Sequence, residues 1–171
     1  MLKNRTFAWA VTLFVMVLSV FFGAYTTYGG MRSTAAAAFR AEIIPLIHEA
    51  MVPAFNMQTV AQNYLSPGEI DALAIGRTIE GIQNTDNPDR VYQYFVLLNR
   101  AVWEVHDRLI PMDISDSSRN FIINFHADFM MLDLIISQAG YNNTAREFND
   151  ALGAGLGFLV RPIVGEMPRF D

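Results

Sequence analysis

The hydrophobic pattern of the chain changes near residue 30, from one continuous apolar run to apolar positions that recur at helical spacing. No charged residue occurs between Arg5 and Arg32, and the densest apolar part of this run extends from Phe7 to Phe22. A helix needs roughly 20 apolar residues to cross about 30 Å of hydrocarbon. The run is long enough to span a bilayer, and we predict that residues 6–28 contact the lipid.

The residues that flank this run predict how it lies in the membrane. Trp9 near one end and Tyr25 and Tyr28 near the other suit the two interfaces, where amphipathic rings are enriched. Lys3, Arg5 and the amino terminus favour a cytoplasmic N-terminus and an exported body. A cleaved signal peptide is the alternative, because a basic start is also typical of such peptides. The length of the run and the lack of a small-residue cleavage site close behind it favour a retained anchor.

Beyond residue 30, apolar residues recur at steps of three and four, which predicts helices, and no alternation typical of strands occurs. Pro45 and Pro53 should bend the first helix, with two helices broken at Pro53 as the alternative. Ser66-Pro67-Gly68-Glu69 forms a capping box that begins the second helix, and Gly140 should loosen the fourth. The predicted helices cover approximately 32–64, 67–84, 88–109 and 117–152.

Short connections between these helices predict an up-and-down antiparallel four-helix bundle. The expected fold is therefore all-α, with a single N-terminal transmembrane helix followed by the bundle. We divide the chain into an anchor at 1–30, the helical bundle at 31–152 and an apolar C-terminal tail at 153–171, which contains glycines and prolines. The glycines after Leu152 should end helix formation, and the tail should pack on the bundle or against a partner.

Composition narrows the possible functions. The chain has 171 residues, of which 52% are hydrophobic and 17% charged, and these values are typical of one ordered domain. The absence of cysteine excludes disulfide scaffolds, thiolate metal sites and iron–sulfur clusters. The net charge is −5, and the anchor contributes only the positive charges of Lys3 and Arg5. The remaining chain is therefore more acidic still, which excludes nucleic acid as a partner because nucleic acids bind basic patches.

Motifs for catalysis or cofactor binding are missing from the sequence. The three histidines are His48, His106 and His126, and the Glu-x-x-His motif of di-iron bundles does not occur. His126 and Asp128 are two residues apart and so do not share a helix face. The glycines at 153, 155 and 157 follow no strand, unlike those of a dinucleotide-binding loop. We predict a protein that is not an enzyme and holds no metal or cofactor.

Several short motifs suggest a family. Ile44-Pro45-Leu46-Ile47 lies in the first predicted helix, Tyr141-Asn142 is followed seven residues later by Phe148-Asn149, and the chain ends Pro168-Arg169-Phe170-Asp171. Together with the N-terminal span, these motifs resemble the LemA-like family. Leu46 stands where asparagine is usual, and residues 130–136 are more apolar than usual, so the chain resembles a divergent member. The resemblance implies a membrane-anchored helical protein without an established biochemical activity.

These observations favour a single-pass protein of the bacterial cell membrane that acts as an accessory or scaffolding subunit of a larger membrane protein complex. The apolar stretch 121–136 should contribute to the surface that faces this membrane protein partner. The favoured interpretation of the Tyr-Asn and Phe-Asn pairs is structural: they hold the last helix against the first, since asparagines one heptad apart can fix the register of packed helices. The functional interpretation is that they belong to a patch that docks the partner. The residues that we predict to dock the partner are Tyr141, Asn142, Phe148, Asn149, Phe158 and Phe170.

The alternative function is ligand sensing. Four-helix domains on a single span can bind a small molecule between their helices and act through a partner. This hypothesis predicts a cavity lined by Tyr94, Trp103, His106 and Asp128.

Overall fold

The chain is all-helical in the computed structural model, which describes residues 2–171, with side chains at 5–70 and 73–171. No strand occurs in this part of the chain, so the prediction of an all-α fold is confirmed. The α-helices are α1 (Leu2–Ala38), α2 (Ile44–Ala61), α3 (Pro67–Leu73), α4 (Ile75–Gln83), α5 (Pro88–Leu109), α6 (Asp116–Gln138), α7 (Gly140–Gly153) and α8 (Gly157–Val164), and a π-helical turn at Phe39–Ile43 joins α1 to α2.

One helical rod runs from the start of α1 to the end of α2. The first body helix is continuous with the apolar run and does not begin separately near residue 32, because α1 continues through Gly29 and Gly30 without a break. In the π turn the Ile44 N–H bonds to the Phe39 carbonyl, five residues back. This irregularity lies directly before Pro45, which has no N–H with which to continue the α-helical pattern. The predicted alternative of a break at Pro53 is also wrong, since α2 passes through it.

Two of the predicted helices are each divided by a single alanine. Ala74 lies between α3 and α4 in the left-handed conformation, with φ 58° and ψ 12°. Leu73 and Ile75 on either side of it are both buried, so the turn directs both side chains into the core. Ala139 lies between α6 and α7 in an extended conformation, with ψ 145°. The predicted fourth helix therefore breaks one residue before Gly140.

The capping box predicted for the second helix is present at the start of α3. The Glu69 carboxylate accepts hydrogen bonds from the Ser66 backbone N–H (2.9 Å) and from the Ser66 hydroxyl (2.7 Å). Because these bonds lower the free energy of the charged carboxylate, they also hold the pKa of Glu69 below its usual range.

The body of the molecule is formed by α2, α4, α5 and α6, with α3 against α5. The helices α2 and α6 run antiparallel: Tyr64, beyond the end of α2, donates to the Ser118 hydroxyl near the start of α6 (2.7 Å). At the other end, the Glu42 carboxylate accepts a bond from the Tyr141 N–H, just past α6 (2.8 Å). The largest fully buried side chains of this core include Ile47, Met57, Ile75, Leu98, Leu109, Ile122, Phe129 and Ile136.

The last two helices leave the body and pack on α1 as a hairpin. α7 descends along the second half of α1, and α8 returns beside it. The turn of this hairpin brings Gly155 beside the Tyr28 hydroxyl. The glycine-rich segment ends α7 at Gly153, as expected, but the tail then forms a further helix that was not predicted, because α8 begins at Gly157. A Cβ at Gly157 would lie 2.5 Å from the Leu152 carbonyl oxygen, so only glycine allows α8 to start this close to α7.

Candidate functional site

The C-terminal tail is clasped by two asparagines of α7. The Asn142 amide donates to two carbonyls at the end of α6 (2.9 Å each), and its oxygen accepts a bond from the Phe170 N–H (2.9 Å). Asn149 bonds to both the N–H and the carbonyl of Met167 (2.8 Å each). The asparagines lie on one face of α7, as their spacing predicts, and their partners are the tail and the carbonyls of Ile136 and Ser137 at the end of α6.

Aromatic rings close the same junction between the body and the hairpin. The Phe170 ring lies 5.1 Å from that of Tyr92, 5.9 Å from that of Phe95 and 6.1 Å from that of Phe39. The Tyr141 hydroxyl donates to the Pro168 carbonyl (2.7 Å), and burial raises the pKa of Tyr141. Met167 is buried and Phe170 is half-buried, so the tail packs against the body instead of extending into solvent.

A salt bridge fixes the end of the tail. Arg146 on α7 donates to the Asp171 carboxylate at 2.6 Å. This hydrogen bond holds the pKa of Asp171 below its usual range. Both side chains are partly exposed, so the contribution of the pair to stability is small.

The predicted docking residues therefore have different surroundings. Tyr141, Asn142 and Phe148 are buried within the chain, and Asn149 and Phe170 are half-buried in the clasp. Phe158 alone of the six has an exposed side chain, with 60% of its surface accessible. The two asparagines of the motif bond to the tail of the same chain.

An exposed apolar stripe runs along the outer side of α6. We call this surface the outer stripe: Ile123, Ala127, Met131, Leu134 and Ile135. Its members recur at steps of three and four, so they share one face of the helix. Opposite them, fully buried side chains follow one another at heptad spacing: Ile122, Phe129 and Ile136. α6 is thus apolar on both sides, and a large exposed apolar patch on a soluble surface typically marks an interaction site.

The cavity expected for ligand sensing does not form around its four predicted residues. Tyr94 packs over Gly81 on the side of α5 that faces α4, where a Cβ would come within 2.6 Å of the ring. Trp103 and His106 lie on the side that faces α6, and Asp128 is exposed on the surface of α6.

Trp103 and His106 instead form a ring cluster with a histidine of α6. The rings of His106 and His126 stack with centroids 4.2 Å apart, and the Trp103 ring lies 4.5 Å from that of His126. The Nε2 atom of His126 is buried and has no hydrogen-bond partner. Burial lowers the pKa of His126, and the nearby charge of His106 lowers it further. His126 therefore resists protonation, because its charged ring would be partly buried beside His106.

A cleft of about 280 Å³ lies between α5, α6 and the tail. Its walls include Tyr92, Asn99, Asp133, Phe170 and Asp171. Burial raises the pKa of Asp133, while a hydrogen bond with the Asn99 side chain opposes this shift. No cluster of three or more His, Asp or Glu side chains that could hold a metal ion is found among the residues that the structure describes.

Two helical stretches are long and apolar enough to cross a membrane, by length and composition alone: Arg5–Ala61 and Asp116–Gln138. Of the predicted interface residues, Trp9 and Tyr25 are exposed, and Tyr28 is half-buried beside the hairpin.

Comparison with known proteins gives no relative from which a function could be taken. No family model matches the chain, and neither the curated proteins nor the solved structures contain a significant match. The function therefore has to be inferred from the residues and from the geometry described above.

Proposed function

We propose that this chain is a non-enzymatic, single-pass protein of the bacterial cell membrane that serves as an accessory or scaffolding subunit of a larger membrane protein complex. The observation that carries the proposal is the outer stripe of α6. It consists of large, exposed apolar side chains on a helix whose opposite side is tightly packed.

The membrane anchor in this proposal is the first half of α1. Its side chains from Arg5 to Val20 are exposed and, after Arg5, uncharged. Trp9 and Tyr28 are separated by about 28 Å along the helix axis, at 1.5 Å per residue, which matches the hydrocarbon thickness. Residues 6–28 thus form the span, and Lys3 and Arg5 favour a cytoplasmic N-terminus with the acidic body outside.

α6 does not cross the bilayer in this proposal, although its length and composition would allow it. It packs along α2, which begins about 24 Å beyond Tyr28 on the same rod. A bilayer centred on the anchor therefore does not reach most of α6. Asp128 and Asp133 point to the same arrangement, because a carboxylate within the hydrocarbon is costly.

The helices of the body form the scaffold that presents the outer stripe. We place α2, α4 with α3, α5 and α6 in an up-and-down four-helix arrangement and regard the chain as a divergent LemA-like protein. The Tyr-Asn and Phe-Asn pairs support this assignment because they have a definite structural role in the clasp. Residues with that role would recur among proteins of the same fold, whatever each protein binds.

The outer stripe is suited to a protein partner. Full burial of one Met, Leu or Ile side chain is worth about 1.5–3 kcal/mol. Several such residues can offset the cost of association if the partner excludes water from them. The stripe lies on the body and the anchor holds that body beside the membrane, so a neighbouring membrane protein is the partner best placed to cover it.

Extraction of the chain from native membranes in mild detergent, followed by sizing, tests this proposal. Met131→Glu with Leu134→Glu places charges in the outer stripe, at side chains that are 57% and 55% exposed. Phe55→Glu with Val52→Glu is the matched control on α2, where the exposures are 57% and 60%. We expect the natural chain and the α2 variant to co-migrate with a large complex and the α6 variant to be released from it. Migration of the natural chain alone as a small particle would overturn the proposal.

A further inference from the structure

The tip of the α7–α8 hairpin lies beside the part of α1 that ends the apolar run. Leu156, in the turn between the two helices, borders a groove of about 470 Å³ together with α1 residues from Val20 to Tyr28. Ile163 and Val164 of α8 border a second groove with α1 residues from Tyr25 to Arg32. The hairpin thus occupies the same height along the α1 axis as residues 20–32.

If α1 spans the bilayer, the position of the hairpin along α1 also fixes its depth in the membrane. The inference rests on that part of the proposed function. Val20 to Tyr28 covers the last about 12 Å of the span on the body side. A segment packed against this stretch lies at the same depth, between the headgroup boundary at Tyr28 and the acyl chains beside Val20. The turn of the hairpin therefore reaches below the level of Tyr28.

The chemistry of the hairpin tip fits this depth. No charged residue occurs between Asp150 and Arg161, so the charges stop where the hairpin approaches the bilayer and resume where it leaves. Large apolar side chains in this region face away from the protein: Leu156, Phe158, Leu159 and Ile163. The Arg161 side chain pairs with Glu166, towards the body, as expected for a long cationic side chain at an interface.

Part of the backbone of the turn is hydrogen-bonded within the hairpin. The N–H groups of Ala154, Gly157 and Leu159 bond to carbonyls within the hairpin, at 3.2, 3.0 and 3.2 Å. These bonds lower the cost of moving this part of the backbone out of water, because lipid tails supply no partners. The N–H groups of Gly155 and Leu156 have no such bond within the hairpin.

We propose that the α7–α8 hairpin is an interfacial membrane insert. Its tip, from Leu156 to Val160, dips into the leaflet on the body side next to the anchor, Arg161 lies at the level of the headgroups, and the exposed face of α8 contacts lipid rather than protein. The chain then contacts the membrane at two adjacent places, the α1 span and the hairpin tip. Because a second contact prevents free rotation about a single helix, it fixes the direction in which the body, and with it the outer stripe, faces.

The chain contains no cysteine, so single-cysteine labelling provides a direct test. Phe158→Cys and Ile163→Cys place an environment-sensitive fluorophore on α8, at side chains that are 60% and 61% exposed. Phe55→Cys is the matched control on the body, and Val17→Cys marks the anchor. Each full-length variant is reconstituted into phosphatidylcholine vesicles in which a fraction of the lipid carries a nitroxide on its acyl chain.

We expect the nitroxide lipid to quench the labels at 158 and 163 several-fold more than the label at 55, and to an extent that approaches the quenching at 17. Quenching at 17 combined with α8 labels that behave like the one at 55 would overturn the insert while leaving the anchor intact. Absence of quenching at 17 would overturn the anchor, and the insert with it.

Discussion

α1 and α6 both belong to long apolar helical stretches, but their apolar side chains have different surroundings. Residues 5–20 of α1 are exposed on all sides and uncharged after Arg5. α6 buries Ile122, Phe129 and Ile136 against its neighbours and leaves the outer stripe exposed. Both helices pass a test of length and composition for membrane spanning. An apolar sequence alone therefore does not tell whether a helix contacts lipid, a partner or its own core. That also depends on which of its side chains the rest of the chain buries.

The largest effect should come from charges placed in the middle of α1. Val17→Asp together with Leu13→Asp should abolish stable membrane integration, because each charged residue at a span centre costs about 2.5–3.5 kcal/mol. Alkaline carbonate extraction of membranes measures this integration. The same double change at Met131 and Leu134 should leave the chain in the membrane pellet. Release of both variants, or of neither, would remove the distinction between the two helices.

The two sides of α6 should differ almost as strongly in their effect on folding. Phe129→Ala leaves a cavity in the core and should lower the free energy of unfolding by about 3–5 kcal/mol. Met131→Ala, two residues away in the outer stripe, should change it by less than about 0.5 kcal/mol. Denaturant titration of detergent-solubilised chain measures both values. Similar losses for the two variants would show that the outer stripe is part of the core.

The tail clasp should contribute less than the α6 core but more than any surface position. Asn142→Ala removes hydrogen bonds to the end of α6 and to Phe170, so it should cost about 1–3 kcal/mol. The exposed neighbour Asn143→Ala is the matched control and should be close to neutral. Limited proteolysis should also cleave the tail faster in the Asn142 variant. Equal stability of the two variants would contradict the clasp.

The smallest effect should be a dependence of stability on pH from the ring cluster between α5 and α6. Burial lowers the pKa of His126 in the folded chain, so the folded state binds fewer protons than the unfolded state. The full stability is present above about pH 6.5, the usual histidine pKa, and part of it is lost as the pH falls from there towards the lower folded-state pKa. Thermal unfolding between pH 7 and pH 5 should show a smaller loss for His126→Gln. The exposed His48→Gln should behave like the natural chain.

Local signals explain which parts of the fold could be predicted from the sequence. Pro88 and the regular apolar spacing define α5, and Ser66 with Glu69 defines the start of α3. The breaks at Ala74 and Ala139 have no such signal, since alanine favours helix and only the packing on either side imposes the turn. The π turn does have a local signal in Pro45, which has no N–H with which to continue the α-helical pattern.

The candidate sites were only partly predictable, because each depends on contacts between segments that are distant in the sequence. The spacing of Asn142 and Asn149 indicates a shared face, but the tail that occupies this face follows later in the chain. α6 is apolar on most sides, so its pattern does not tell which side the body covers. The depth of Leu156 beside α1 depends on the path of the hairpin, which the spacing of apolar residues does not predict.

A photo-crosslinking residue at position 131 in native membranes tests the central claim most directly. Met131 is replaced by a benzophenone amino acid, with the same replacement at Phe55 as the control of equal exposure. The proposed subunit role predicts a discrete protein adduct after irradiation at 131 and none at 55. Adducts only with lipid at 131, or the same result at both positions, would contradict the proposal that the outer stripe of α6 faces a protein partner.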